Sequence, residues 1–129
     1  MYKIELLKGN WYHRSYGKDS FNEIVTLEHL RDLEFIGDNV VIIPGNHILI
    51  GKAITNQIII DEIYVQRRHS RIEILPKQII LRNLGARDPT LVLRGNKVHR
   101  ASNQGIEIYE GDVLRFQETE LRLLEARVS

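Results

Sequence analysis

The chain has 129 residues, 43% of them hydrophobic and 27% charged, a composition that fits one folded domain and excludes wholesale disorder. Its 18 Lys plus Arg against 17 Asp plus Glu leave a net charge of +1, so it lacks the basic excess of a nonspecific nucleic-acid binder. The absence of cysteine excludes disulfides, thiolate catalysis and Cys-ligated zinc. No apolar run approaches the roughly 20 residues of a membrane-spanning helix, and the N-terminus is too charged for a signal-peptide core, so a cytoplasmic protein is expected.

In chain order, residues 2–7 read as a strand that Gly9-Asn10 ends. Phe21, Ile24, Leu27, Leu30 and Leu33 recur at three-residue spacing, which fits an amphipathic helix capped by Asp19 or Ser20. Ile24-Val25-Thr26-Leu27 in the same stretch fits a strand of β-branched residues, the preferred reading. Residues 1–30 are expected to form an N-terminal extension packed on a domain of residues 31–127. Within it, Trp11, Tyr12 and Tyr16 lie among Lys8, His13, Arg14 and Lys18. Either Trp11 covers an open end of the domain, or these aromatics dock a partner or a second copy.

From residue 33 the chain becomes a series of short apolar runs divided by turn residues. Strands are expected at 33–36, 40–43, 47–50, 57–60, 71–75, 78–82, 90–93, 106–109, 113–116 and 120–124. Arg71-Ile72-Glu73-Ile74 and Glu120-Leu121-Arg122-Leu123 alternate charged and apolar residues, which puts one face in a core and one in water. Ile58-Ile59-Ile60 is apolar throughout, as expected of a strand covered on both faces. Leu93-Arg94-Gly95-Asn96-Lys97-Val98 reads as a hairpin with a Gly-Asn turn. The pattern predicts an all-β protein, a two-sheet antiparallel sandwich of about 10–11 short strands.

Five blocks carry a family resemblance. They are Ile50-Gly51-Lys52, Asn56-Gln57-Ile58-Ile59-Ile60, Gln66-Arg67-Arg68-His69-Ser70-Arg71-Ile72, Leu84-Gly85-Ala86-Arg87-Asp88-Pro89-Thr90 and Glu110-Gly111-Asp112-Val113-Leu114-Arg115-Phe116. In this order and spacing, over residues 33–126, they resemble the forkhead-associated (FHA) domain, a β-sandwich that reads phosphothreonine peptides through loops at one edge. The resemblance implies structural roles for Gly51, His69, Gly85 and Thr90, with His69 buttressing its loop from a partly buried position. It implies partner or phosphopeptide contacts for Lys52, Gln66, Arg67, Arg68, Arg87 and Asp88.

Several of these positions differ from the family pattern. Lys52 stands where the family has an arginine, which keeps the charge and loses the planar bidentate fork. Gln66 replaces a serine hydroxyl by a longer amide, whereas Arg67 keeps the family's polar or basic character. Ala86 lacks a hydroxyl, Asp88 replaces an asparagine by a pure acceptor, and Pro89 removes an N–H and fixes φ. A phosphate dianion beside Asp88 meets like charge.

No Gly-rich phosphate loop, nucleophile elbow or metal-binding His spacing is present, so no catalytic residue, metal or cofactor is expected. The resulting expectation is a non-catalytic protein-interaction module with phosphothreonine dependence weakened or lost. The alternatives are a working phosphothreonine reader that uses Lys52 and Arg67, and a structural subunit that oligomerises through Trp11 and Tyr12. Nucleic acid is not the expected partner, because Tyr64 is the only aromatic near the Arg67-Arg68 cluster available for stacking.

Overall fold

The computed structural model describes residues 2–11, 34–36, 40–43, 46–53 and 56–125. The expected element within residues 19–33, Tyr12, Tyr16, His13 and His29 lie outside this set. The described residues form twelve strands: β1 (Tyr2–Lys8), β2 (Glu34–Ile36), β3 (Val40–Ile43), β4 (His47–Gly51), β5 (Ile58–Ile59), β6 (Ser70–Ile74), β7 (Ile79–Asn83), β8 (Leu91–Arg94), β9 (Lys97–Arg100), β10 (Ile106–Ile108), β11 (Val113–Phe116) and β12 (Thr119–Glu125). They make a seven-stranded sheet in the order β2-β3-β1-β12-β11-β8-β9 and a five-stranded sheet in the order β10-β7-β6-β4-β5.

Period-two alternation builds the core between these sheets. Ile48 and Ile50 of β4, Ile72 of β6 and Leu81 of β7 are buried from the five-stranded sheet. Ile4, Val92, Leu114, Phe116, Leu121 and Leu123 are buried from the other. Each such side chain contributes about 1.5–3 kcal/mol by leaving water, so the core can hold the sandwich without cross-links. The charged partners in the alternation form surface pairs, as in Arg71–Glu73 at 3.2 Å and Arg122–Glu5 at 2.7 Å.

The Gly95-Asn96 hairpin forms as expected, with β8 and β9 paired and Gly95 at φ 59°. Positive φ at the first turn residue alone is the pattern of a type II′ turn, which suits the twist of the flanking strands.

Three features depart from the expectations. All described pairings are antiparallel except β4–β5, which is parallel. The strand expected at 57–60 is only two residues long, Ile58–Ile59, and lies at a sheet edge. The Ile58, Ile59 and Ile60 side chains are all buried, as expected of a run covered on both faces. The expected strand at residues 2–7 is present as β1, placed between β3 and β12, so it is part of the seven-stranded sheet rather than a layer on the sandwich. Trp11 joins the core at 8% exposure, which matches the covering role and withdraws that ring from a docking role. Among the described residues no helix is long and apolar enough to cross a membrane.

Candidate functional site: the loop edge of the sandwich

Three connections build the candidate site: β4–β5, β5–β6 and β7–β8. The β4–β6 pairing continues past the strand ends. The His69 N–H donates to the Ile50 carbonyl at 3.0 Å, Lys52 N–H to Gln66 at 2.8 Å and Ala53 N–H to Arg67 at 3.1 Å. This ladder brings Lys52, Gln66 and Arg67 to one place. It requires close approach at Gly51, where a Cβ would lie 2.4 Å from the Arg67 carbonyl oxygen. Asn56 clamps the same loops, its Nδ2 donating to the carbonyls of Ala53 and Arg67, each at 2.7 Å. Gln57 is buried and accepts the Leu49 N–H through Oε1 at 2.6 Å.

His69 is the hub beneath the loop edge. It is 2% exposed, and its Nδ1 accepts the Gln66 N–H at 3.0 Å, which fixes the shape of the loop that carries Arg67 and Arg68. Its ring meets Phe116 edge-on with centroids 5.6 Å apart. Its carbonyl accepts the Leu84 N–H at 3.0 Å, and next to it Ser70 and Thr90 share a hydroxyl bond of 2.5 Å. These contacts tie the β7–β8 loop, with Arg87 and Asp88, to the other two. Asn83 adds a further tie, its Nδ2 donating to the Ala86 carbonyl at 3.2 Å and to Asn103 Oδ1 at 3.0 Å.

Burial pushes the His69 pKa below its ordinary 6.5, against the smaller opposing effects of the Asp88 backbone and the Asp88 charge. The unfolded chain therefore binds the His69 proton more readily than the folded one. Stability that is present above the unfolded value must be lost as pH falls through 6.5 toward the folded value. Urea denaturation from about pH 7 to about pH 5 should show this loss, and a His69→Gln variant should lack that component of it.

The side chains above this framework are exposed. Lys52 faces Asp61 at 3.9 Å, a solvent-exposed pair worth about 0–1 kcal/mol, which an anionic ligand must displace. Gln66, Arg67, Arg68, Arg87 and Asp88 are all exposed. Arg67, Arg68 and Arg87 have no side-chain ion-pair partner among the described residues. Ala86 is buried at 6% exposure, unlike its neighbours Gly85 and Arg87. Arg67 and Arg68 lie in the loop ahead of β6, not on the strand.

A groove of about 570 Å³ opens beside this edge, lined by Asp88, Pro89, Tyr64 and Gln117 together with Arg100 and Arg115. Sequence reasoning missed the part that Gln117 plays. Gln117 holds a positive φ of 59° and accepts the Tyr64 N–H at 2.9 Å, while Glu62 accepts the Glu118 N–H at 2.9 Å and the Thr119 hydroxyl. These partners lie more than 50 residues apart in the chain, and no local pattern names them.

The sandwich with convergent loops at one end defines a binding module of the β-sandwich class. The FHA domain family model matches residues 48–117, more than half of the sequence, and the chain belongs to that family of protein-interaction domains. The FHA domain of a Chlamydia trachomatis protein is similar at TM-score 0.63 and 15% identity, covering 98% of each chain. The FHA domain of FhaA, solved with the intracellular domain of another protein, is similar at TM-score 0.59 and 16% identity, covering 95% of this chain and 99% of that one. An FHA structure from work on phosphothreonine-dependent interactions is similar at TM-score 0.58 and 20% identity, covering 75% and 95%. At these identities the likeness is one of fold. No curated protein matches the sequence.

Proposed function

We propose that the loop edge receives a segment of a protein partner, with phosphothreonine dependence weakened relative to the family. The carrying observation is the exposed Asp88 carboxylate on the wall of the groove, next to loops whose cations are otherwise disposed to receive an anion. A dianion bound there meets repulsion from Asp88 and competition from Asp61 for Lys52. Gln66 and Pro89 add to the effect, the first by replacing a compact hydroxyl and the second by lacking an N–H. Arg67, Arg68 and Arg87 still favour an acidic segment, because guanidinium groups pair well with carboxylates.

The second reading keeps the phosphate as the main determinant, with Lys52 and Arg67 making charge-assisted bonds to it. It is favoured by the unpaired guanidinium of Arg67 on the same ladder as Lys52. The two readings separate on Asp88→Asn and Lys52→Ala, assayed against one phosphothreonine peptide and its unphosphorylated twin. Under the first, Asp88→Asn strengthens binding of the phosphorylated form by about tenfold, the equivalent of roughly 1.4 kcal/mol of removed repulsion. Lys52→Ala then changes both forms little. Under the second, Lys52→Ala abolishes phosphopeptide binding, and the wild-type affinity falls steeply with salt.

A further inference from the structure

The groove beside the loop edge holds two arginines, Arg100 and Arg115, that belong to strands rather than to the three loops. Val92 of β8 and Leu114 of β11 are fully buried, so their neighbours Leu91 and Arg115 point to the outer face of the seven-stranded sheet. Arg115 stands opposite Leu91, and Leu91 stands opposite Arg100, in the antiparallel register. Residues directly opposite share a face, so Arg100 lies on that outer face too. Glu120 of β12 continues the row on the other side of Arg115.

The two arginines therefore flank Leu91 from either side. Their backbones stand about 10 Å apart, two strand spacings, so both side chains can lean over Leu91 onto one bound group. Arg100 is exposed and has no ion-pair partner among the described residues. Arg115 donates its Nε–H to the Gln117 carbonyl at 2.9 Å, and the same nitrogen is 3.8 Å from the Glu120 carboxylate. Those contacts leave the terminal nitrogens of its guanidinium for a ligand. Asp88 also lines the groove, so with His69 neutral the lining carries one net positive charge. That balance suits a monoanion, and Asp88 weighs against a dianion. Leu91, Pro89 and the half-exposed Tyr64 ring supply apolar surface beside the charges.

We propose that Arg100 and Arg115 form a carboxylate clamp on the face of the sheet. The partner segment that enters at the loop edge carries an aspartate or glutamate whose carboxylate lies over Leu91, between the two guanidinium groups. An apolar neighbour of that residue packs against Tyr64 and Pro89. The inference rests on the reading of the loop edge as the partner site, and it assigns selectivity for the segment to two strand residues outside the loops.

The test uses the full chain and a capped heptapeptide of alternating Val and Glu, with a Val/Gln counterpart and a version carrying phosphothreonine in place of the central glutamate. NMR spectra follow the Nε–H signals of Arg100 and Arg115 for the clamp, and the backbone amides of Arg67 and Arg87 for the loop edge. The expected result is saturable movement of all four with the Val/Glu peptide, and binding of the Val/Gln peptide weaker by about tenfold or more. Arg100→Gln should weaken Val/Glu binding by about tenfold and leave Val/Gln binding unchanged, and the fold should tolerate it because that side chain is exposed. Arg115→Lys keeps the charge and loses the fork, so it should weaken Val/Glu binding several-fold even though the charge remains. Equal affinities for the Glu and Gln peptides would overturn the proposal, as would an Arg100→Gln variant that binds both like the wild type. So would a tighter response of the clamp signals to the phosphothreonine peptide or to a short single-stranded DNA. Movement of Arg67 and Arg87 with still clamp signals would overturn the clamp and leave the proposed function standing. Movement of the clamp signals alone would instead fault the loop-edge reading.

Discussion

Replacing Asp112 by alanine is expected to destabilise the domain by about 3 kcal/mol, among the largest effects open to a single surface-facing turn. Asp112 is 3% exposed and holds three groups together. Its carboxylate accepts from Arg94 through Nε at 2.9 Å and Nη2 at 2.7 Å, a bidentate pair, and Oδ2 also accepts the Tyr109 N–H at 2.8 Å. Arg94 in turn lies over the Tyr109 ring, 4.6 Å from its centroid. The Asp112 hydrogen bond is the main cause that raises the Arg94 pKa above its ordinary value. Removing the carboxylate leaves the Tyr109 N–H without that acceptor and the guanidinium without its counter-charge, which costs more than the pair itself is worth. Arg94 is 35% exposed, so water recovers part of the loss and keeps it at the low end of the range for a broken buried pair. Urea denaturation should show a lower midpoint with an unchanged slope, and Asp112→Asn should lose roughly half as much because one acceptor oxygen remains.

Gly51→Ala is expected to cost about 2–3 kcal/mol and to disable the loop edge as well. The added Cβ would meet the Arg67 carbonyl oxygen at 2.4 Å, Asn56 Nδ2 at 2.9 Å and the Arg67 carbonyl carbon at 3.0 Å. Two of these are backbone atoms, so the contact cannot be relieved by a side-chain rotation. The β5–β6 loop must move, breaking the Lys52–Gln66 and Ala53–Arg67 bonds that align the candidate site. Gly85→Ala provides the contrast. Gly85 sits at φ +85° with open space around the missing Cβ, so alanine there suffers backbone strain of about 1–2 kcal/mol and no clash. Comparing the two variants for stability and for partner binding separates the cost of a conformation from the cost of a collision. Gly51→Ala should lose both properties, whereas Gly85→Ala should keep most of its stability.

The strands were legible because their signal is local. Arg71-Ile72-Glu73-Ile74 places Ile72 in the core and Glu73 in a surface pair with Arg71 and Arg82, as period two requires. Leu121 and Leu123 behave the same way in β12. The pairing of the first strand with the last was not legible, since Ile4 meets Leu123 across most of the chain and no short pattern encodes that register. The burial of Ile58-Ile59-Ile60 was legible from its unbroken apolar run, whereas its place at a sheet edge was not. Burial on both faces is a property of what lies over a segment, and here it occurs at an edge.

The candidate site divides in the same manner. Gly51 and His69 were readable as framework, and their contacts give that role a physical content: close approach for one, a buried acceptor for the other. Gly111-Asp112 was recognised only as part of a motif. Its importance lies in Arg94, from which two strands, β9 and β10, separate it in the chain, and charge patterning at that separation carries no signal. The Glu62 contacts to the Glu118 N–H and the Thr119 hydroxyl were not legible, since 56 and 57 residues separate the partners.

The electrostatics of the loop edge are a balance of signs. Arg67, Arg68 and Arg87 attract an anion, and Asp61 and Asp88 oppose one with concentrated charge more than they oppose a dispersed acidic segment. The measurement that tests this most directly is fluorescence-polarisation binding of the chain to a degenerate phosphothreonine peptide library and to its unphosphorylated counterpart, at two salt concentrations. Affinities for the two libraries are expected to lie within about tenfold of each other, with Lys52→Ala affecting both alike. A preference for the phosphorylated library of about a hundredfold or more, abolished by Lys52→Ala or Arg67→Ala, would contradict it.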